Sequence, residues 1–146
     1  MNPSEVVAVL ANIDPDAYGA GTVDSPFVSL GKFHSAMAIV QAGDFVATGL
    51  LDASIRQATD SGGTGAKAIS GKSITQLTQA GTDSNKQAII NLDAEELDVD
   101  NGFSFISLRM VLTTAGADAA GMLLGVGSRL GPASDNDSST VDEIVT

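Results

Sequence analysis

The chain has 146 residues, of which 43% are hydrophobic and 17% are charged, with no cysteine and one histidine. This length fits one domain with a single core, and the lack of cysteine excludes thiolate nucleophiles, disulfides, Fe–S clusters and zinc fingers. Eighteen acidic against seven basic residues give a net charge of -11, which repels phosphate backbones and anionic lipids. We therefore expect neither a nucleic-acid nor a membrane partner.

The first half of the chain predicts strands joined by turns, because glycine and small polar residues punctuate short apolar runs. Val6–Ile13 predicts a buried strand that ends at Asp14–Asp16, where proline and aspartate favour a turn. After a loop, Pro26–Leu30 predicts an edge strand, and Phe33–Gln41 alternates with a period of two. The bulky face of this last segment consists of Phe33, Met37 and Ile39.

The middle of the chain contains the clearest alternation. In Leu51–Arg56 the apolar residues alternate with polar ones, which predicts a strand with one face on the core. Ser61–Gly65 predicts a mobile loop, and Ile69–Leu77 fits either a strand or one helical turn.

The last third predicts two hairpins. Lys86–Leu97 begins as a strand and ends in acidic residues, after which Asn101–Gly102 suits a tight type I′ turn. Phe103–Thr113 predicts a strand, and Ala115–Asp118 turns into another strand that ends near Gly131. The predicted core sides are Ile106, Leu108, Met110 and Leu112 in the first of these strands, and Met122, Leu124 and Val126 in the second; Ser107 and Arg109 face the other way.

These patterns predict an all-β fold, a jelly-roll-like sandwich or small barrel of about eight strands, with one short helical turn between Ala66 and Leu77. We expect a single domain over residues 1–132. From Ala133 the composition becomes polar and acidic, which predicts a mobile tail over residues 133–146. Its apolar residues within Val141–Val145 would suit docking on a neighbouring subunit.

The most prominent candidate site is the acidic segment from Asp93 to Asp100, followed by the glycine of Asn101–Gly102. Clustered carboxylates suggest calcium, but an EF-hand loop starting at Asp98 would place Phe103 where glycine belongs and Arg109 where the bidentate glutamate belongs. A solvated acidic surface is the better interpretation.

Catalytic motifs are similarly incomplete. His34 is the one imidazole, and with Ser35 beside it there is still no positioned third partner for a triad. Gly62–Lys67 and Gly71–Ser73 resemble parts of a phosphate loop, yet neither has its spacing or a following helix. Paired carboxylates for glycoside hydrolysis would lack aromatic platforms, since there is no Trp and one Tyr. We therefore assign no catalytic, cofactor-binding or metal-binding residue and expect a non-enzymatic protein without a cofactor.

About three quarters of the chain resembles small structural proteins encoded with the head genes of tailed bacteriophages. The segments that carry the resemblance are Ile13–Tyr18, Gly49–Asp60, Gly65–Thr78, Asn85–Leu92, Glu95–Asp100 and Leu130–Ala133.

The resemblance implies a virion protein and leaves three roles open: decorating the capsid lattice, joining head to tail, or building the tail tube. Of these, we expect a decoration (cement) protein on the outer capsid surface, made in the host cytoplasm. Its partners would be the major capsid protein and itself, as a trimer that matches threefold lattice positions. From another class, a calcium- or carbohydrate-binding β-sandwich module is the alternative.

Three segments are the expected carriers of binding: Met1–Glu5, Ser61–Gly65 and Asp135–Thr146. Met1–Glu5 lacks the basic flank and apolar run of a signal peptide, and no apolar stretch approaches the length of a membrane helix. We therefore expect a protein made and used in solution, in which these segments become ordered on binding.

Overall fold

The computed structural model describes residues 1–146 and consists of ten strands joined by loops and short 3-10 turns. The turns are Pro3–Glu5, Ala94–Glu96, Val99–Asn101 and Ala133–Asn136, and none is a long apolar helix that could span a membrane. The strands are β1 (Val7–Tyr18), β2 (Gly21–Asp24), β3 (Val28–Ser29), β4 (Phe33–Phe45), β5 (Leu50–Ala58), β6 (Lys67–Ser73), β7 (Leu77–Thr78), β8 (Gln87–Asp93), β9 (Phe105–Thr113) and β10 (Ala117–Ser128).

The strands form two antiparallel sheets that pack face to face. Sheet 1 has the order β1-β10-β4-β8, and sheet 2 has the order β2-β9-β5-β6, with β3 beside β9 and β7 beside β5. The chain crosses between the sheets at almost every connection of its long strands, which is the strand order of a jelly roll. The predicted all-β class and sandwich architecture are therefore confirmed.

The two inner faces differ in side-chain size. Sheet 2 contributes large residues such as Ile55, Leu108 and Met110, which have no exposed surface. The central strands of sheet 1, β4 and β10, contribute mainly alanines, together with Gly121, where an added Cβ would lie 2.6 Å from Leu108 Cδ2. Bulky side chains of one sheet thus fill the space left by small side chains of the other.

This complementarity overturns much of the predicted faces of β4 and β10, although Phe33 of the bulky β4 face is buried in the core. Met37 and Ile39, which form the bulky face of β4, lie on the outer side of sheet 1, while Ala36, Ala38 and Val40 are buried. In β10 the inward residue is Leu123, so Met122, Leu124 and Val126 lie on the outer side of sheet 1. Leu124 is nevertheless buried there, outside the core cluster. Along the middle of β4 the inner face therefore holds small residues, while Phe33 and Leu123 are its larger members in the two central strands.

Both predicted hairpins are wrong. Strand β8 belongs to sheet 1 and β9 to sheet 2, so the segment between them turns a corner through 3-10 turns. In Asn101–Gly102 only the glycine has a positive φ, at 82°, whereas a type I′ turn needs two such residues. Strands β9 and β10 likewise lie in different sheets.

Three segments have different boundaries from those predicted. Strand β1 continues beyond Pro15, because a register shift between Ile13 and Asp16 places the proline where no ladder hydrogen bond is lost. The predicted loop before Pro26 contains β2. The helical turn expected within Ala66–Leu77 is absent, because these residues form β6 and β7 along β5 and Ile69 packs into the core.

Candidate interaction surface

The outer side of sheet 1 carries an ordered array of apolar side chains outside the core. The strand register places Met122 beside Asn12 and Ile39, and Ile39 beside Ile89, in one row across all four strands. The adjacent row is Val9, Leu124, Met37 and Asn91. We call the six apolar members of these rows the apolar face: Val9, Met37, Ile39, Ile89, Met122 and Leu124.

Two members of this face are exposed, three are half-buried, and Leu124 is buried. Ile89 is 58% exposed and Met122 is 39% exposed, and a shallow groove of about 440 Å³ runs over Val9, Ile39 and Met122. Because neighbours on one face of a sheet interact directly, these side chains form one continuous apolar surface. Contiguous exposed apolar surface of this kind marks a site of contact with another molecule.

The C-terminal segment borders the apolar face along β1. Val9 N–H donates to Asp137 Oδ1 at 2.7 Å, and Ser138 N–H donates to the Val9 carbonyl at 2.7 Å. Thr140 Oγ1 donates to Asn12 Oδ1 at 3.0 Å, and Val141 lines the groove. Residues 137–141 therefore cover the free edge of β1, an edge that would otherwise present unpaired backbone groups.

This arrangement relates the predicted tail to the domain. Ala133, the first tail residue, has no exposed surface and belongs to the core cluster, so the core extends one residue beyond the predicted domain of residues 1–132. The tail contacts its own chain through residues 133–141, and the exposed residues 142–146 follow. Mobility of the tail and its docking on a neighbouring subunit stay predictions.

Exposed carboxylates lie at both ends of the apolar face and on its β1 side. At one end of the face, Gln41 pairs with Gln87 in the row after Ile39 and Ile89. Asp16 and Asp118 lie beyond these two glutamines. Asp93, paired with Ser35, lies at the other end. Asp142 and Glu143 follow the segment that borders β1. We call these five groups the acidic rim.

The acidic segment from Asp93 to Asp100 is held by lysines of β6. Lys72 Nζ lies 2.9 Å from Glu96 Oε2 and donates to the Asn91 carbonyl at 2.8 Å, which ties sheet 2 to the edge of sheet 1. Lys67 pairs with Asp98 and lies over the ring of Phe103. No group of three or more His, Asp or Glu side chains converges as a metal site would require.

These contacts shift the pKa of two carboxyls. The backbone N–H of Asp93 and the Lys72 ammonium hold the pKa of Glu96 below its ordinary value. Hydrogen bonds from Lys67 and then Asn101 lower the pKa of Asp98. In both cases donors stabilise the charged form, so these groups act as structural ion-pair partners.

The glycine-rich loop is fixed by specific contacts. Asp60 Oδ1 accepts from the N–H groups of Gly62 and Thr64 at 2.9 and 3.1 Å. Gly63 has a φ of +81° and packs so closely on Phe27 that an added Cβ would lie 2.9 Å from its ring. The loop expected to be mobile within Ser61–Gly65 therefore has its own packing and hydrogen bonds.

The remaining candidates lie apart from one another. His34 is exposed at the start of β4, beside Gly127, and Ser35 follows it on the outer side of sheet 1. Gly71–Ser73 is part of β6 and not a loop. Met1–Glu5 ends in a 3-10 turn, in which Asn2 N–H donates to Glu5 Oε2 at 2.9 Å.

Sequence periodicity does not reveal the apolar face, because it assigns Met122 and Leu124 to the core side of their strand. The signal that could have found it lies in the alternate positions of the same strands, which are also apolar. These positions are Ala36, Ala38 and Val40 in β4, and in β10 Leu123, with Gly121 and Gly125 two residues away on the same face. Apolar residues at both parities indicate a strand covered on both faces.

No protein-family model matches the chain, and no curated protein matches it. Among solved structures, the chain is similar to one titled "Structure of infectious bursal disease virus Gx strain", with 13% identity and a TM-score of 0.38. The match covers 87% of this chain and 33% of that chain, so this chain spans about a third of its length. It is also similar to one of broad bean stain virus, with 13% identity and a TM-score of 0.38 over 90% of this chain and 94% of that chain. Because both identities and both TM-scores are low, we assign the fold from the strand order of this chain.

Proposed function

We propose that this chain is a virion structural protein, a decoration protein that binds the outside of a tailed-phage head and stabilises contacts between capsomers. The observation that carries the proposal is the apolar face, whose exposed Ile89 and Met122 belong to one continuous row across a rigid sheet. Such a face suits contact with a large partner surface. The resemblance of six sequence segments to small phage head-gene proteins favours a location in a virion.

The proposed work is binding without chemical turnover, and it needs no cofactor. A protein that binds the assembled shell and not its dissociated subunits stabilises the shell by mass action. As a trimer placed at a threefold position of the lattice, the chain would make several contacts at once, and these contacts reinforce one another through effective concentration. The major capsid protein is the proposed partner.

The charge of the chain supports a position on the outer surface. With a net charge of -11, the protein repels packaged nucleic acid. An outer location keeps this charge away from the genome. The protein would be made in the host cytoplasm and then added to the capsid surface.

The test is the number of copies of this chain per purified particle, measured by quantitative mass spectrometry against the major shell protein. A copy number that scales with the shell protein is expected for lattice decoration. About six or twelve copies would instead indicate a ring at the head-tail junction. A number set by tail length would indicate a tail-tube subunit, and absence from the particle would overturn the virion role.

A further inference from the structure

We infer that the partner of the apolar face is a different protein whose contact surface has an apolar centre bordered by lysine and arginine, and not the same face of a second copy of this chain. The inference rests on the proposed function in identifying that partner with the shell protein. It is carried by the charges around the face and by the state of every cation in the chain.

The apolar face has an uncharged centre and a charged border. Its central rows contain apolar side chains and Asn12 and Asn91, with no charged residue. The exposed charges at its border are carboxylates, namely the five groups of the acidic rim and Asp14 beside Asn12. Lys72, which donates to the Asn91 carbonyl, is paired with Glu96. A partner that covers this surface must match an uncharged centre and a negative border.

The seven lysines and arginines of this chain already have partners within the chain. Four of the seven form ion pairs, Lys67 with Asp98, Lys72 with Glu96, Lys86 with Asp83, and Arg109 with Asp24. The other three donate hydrogen bonds within the chain, Lys32 to Asn136, Arg56 to the Ala66 carbonyl, and Arg129 to the Phe33 carbonyl.

A second copy that packed its own apolar face against this one would therefore bring carboxylates toward carboxylates. To place its cations opposite the acidic rim of the first copy, the second copy would have to break contacts within its own chain. One such contact joins Lys72 to Glu96 and to the Asn91 carbonyl of sheet 1. Like charges brought together across an interface disfavour association. Trimer contacts of the proposed decoration protein would accordingly use another part of the surface.

Matched substitutions separate the centre of the face from its rim. Ile89→Glu places a charge in the centre, and Val46→Glu is its control, because both side chains are 58% exposed and Val46 lies in the loop after β4, outside the face. The double variant Asp118→Asn, Asp142→Asn neutralises part of the rim. Its control is Glu95→Gln, Asp100→Asn, which removes two exposed charges elsewhere.

The experiment measures co-sedimentation of the full chain with particles grown without it, at about 50 mM and about 500 mM NaCl. We expect Ile89→Glu to weaken binding about tenfold or more, and Val46→Glu to bind as the native chain does. The rim variant should bind about three- to tenfold more weakly than its control at low salt, with the difference shrinking at high salt.

Each contrary result has its own meaning. Failure of the native chain to bind at either salt concentration would overturn the proposed function and this partner with it. Native binding with an equal loss, or no loss, for Ile89→Glu and Val46→Glu would overturn the inference alone. Equal binding by the rim variant and its control would exclude a basic partner border. A drop in oligomeric mass caused by Ile89→Glu, measured by light scattering, would assign the face to a second copy.

Discussion

Met122 and Leu123 are neighbours on β10 and lie on opposite sides of sheet 1. Leu123 has no exposed surface, whereas Met122 is 39% exposed. The core and the apolar face are therefore separated only by the backbone of sheet 1 at these two consecutive residues.

Substituting each of the two residues by aspartate tests this boundary. Leu123→Asp buries a charge among apolar side chains and should lower the free energy of unfolding by about 3 kcal/mol or more. Met122→Asp places the charge in water and should change it by less than about 1 kcal/mol. Urea denaturation of both variants measures the difference. Equal destabilisation by the two would mean that the assigned faces of β10 are wrong.

The contact of Gly63 with Phe27 predicts a sensitive position in the glycine-rich loop. Gly63→Ala adds a Cβ 2.9 Å from the ring at a φ of +81°, so we expect a loss of about 1–3 kcal/mol in the free energy of unfolding. Gly19→Ala is the control, since its Cβ would meet nothing within 4 Å. A fully native stability of Gly63→Ala would show that the loop adjusts without cost.

The contacts of the tail with β1 predict where truncation begins to matter. Removing residues 137–146 eliminates the hydrogen bonds of Asp137 and Ser138 with Val9 and should reduce stability by about 1–2 kcal/mol. Removing only residues 142–146 spares these bonds and should leave stability unchanged. Thermal melting of the two truncated chains provides the measurement. Identical melting temperatures would show that residues 137–141 do not stabilise the fold.

Acid should destabilise the protein through its hydrogen-bonded carboxyls. Lys67 and Asn101 lower the pKa of Asp98 from its ordinary 3.8, and the Thr78 N–H and Lys86 lower that of Asp83. Because the folded pKa lies below the unfolded one, the stabilisation is present above about pH 4 and is lost as the pH falls through the folded pKa.

Melting temperatures recorded from neutral pH to about pH 3 should therefore fall steeply at the acidic end. In Asp98→Asn the fall should be smaller, because one contributing group is absent, and stability at neutral pH should already be reduced. Asp100→Asn, at an exposed position two residues along, is the control. A pH profile of Asp98→Asn parallel to that of the native chain would contradict the role of this ion pair.

The strands of sheet 2 were the most predictable part of the fold. Leu51, Ala53 and Ile55 alternate with polar residues, and all three are buried as expected. Ile106, Leu108, Met110 and Leu112 are likewise buried. Here one face is apolar and the other largely polar, so local periodicity alone identifies the inner side.

Sheet 1 and the connections were less predictable for a physical reason. In β4 and β10 both parities are apolar, and the choice between them depends on the size of residues such as Leu108 in the opposite sheet. The mispredicted hairpins have a similar origin, because turn residues do not reveal whether the next strand stays in the same sheet. The apolar face could be located only after both questions were answered by the structure.

The pairing of β1 with β10 has a consequence for folding during synthesis. Val7 pairs with Val126, so β1 leaves the ribosome long before its only strand neighbour exists. At about 5–20 residues per second, the apolar segment of β1 waits several seconds in an incomplete chain. Sheet 1 closes only after β10 has emerged, and this delay makes folding depend on protection of β1 from premature contacts with other chains.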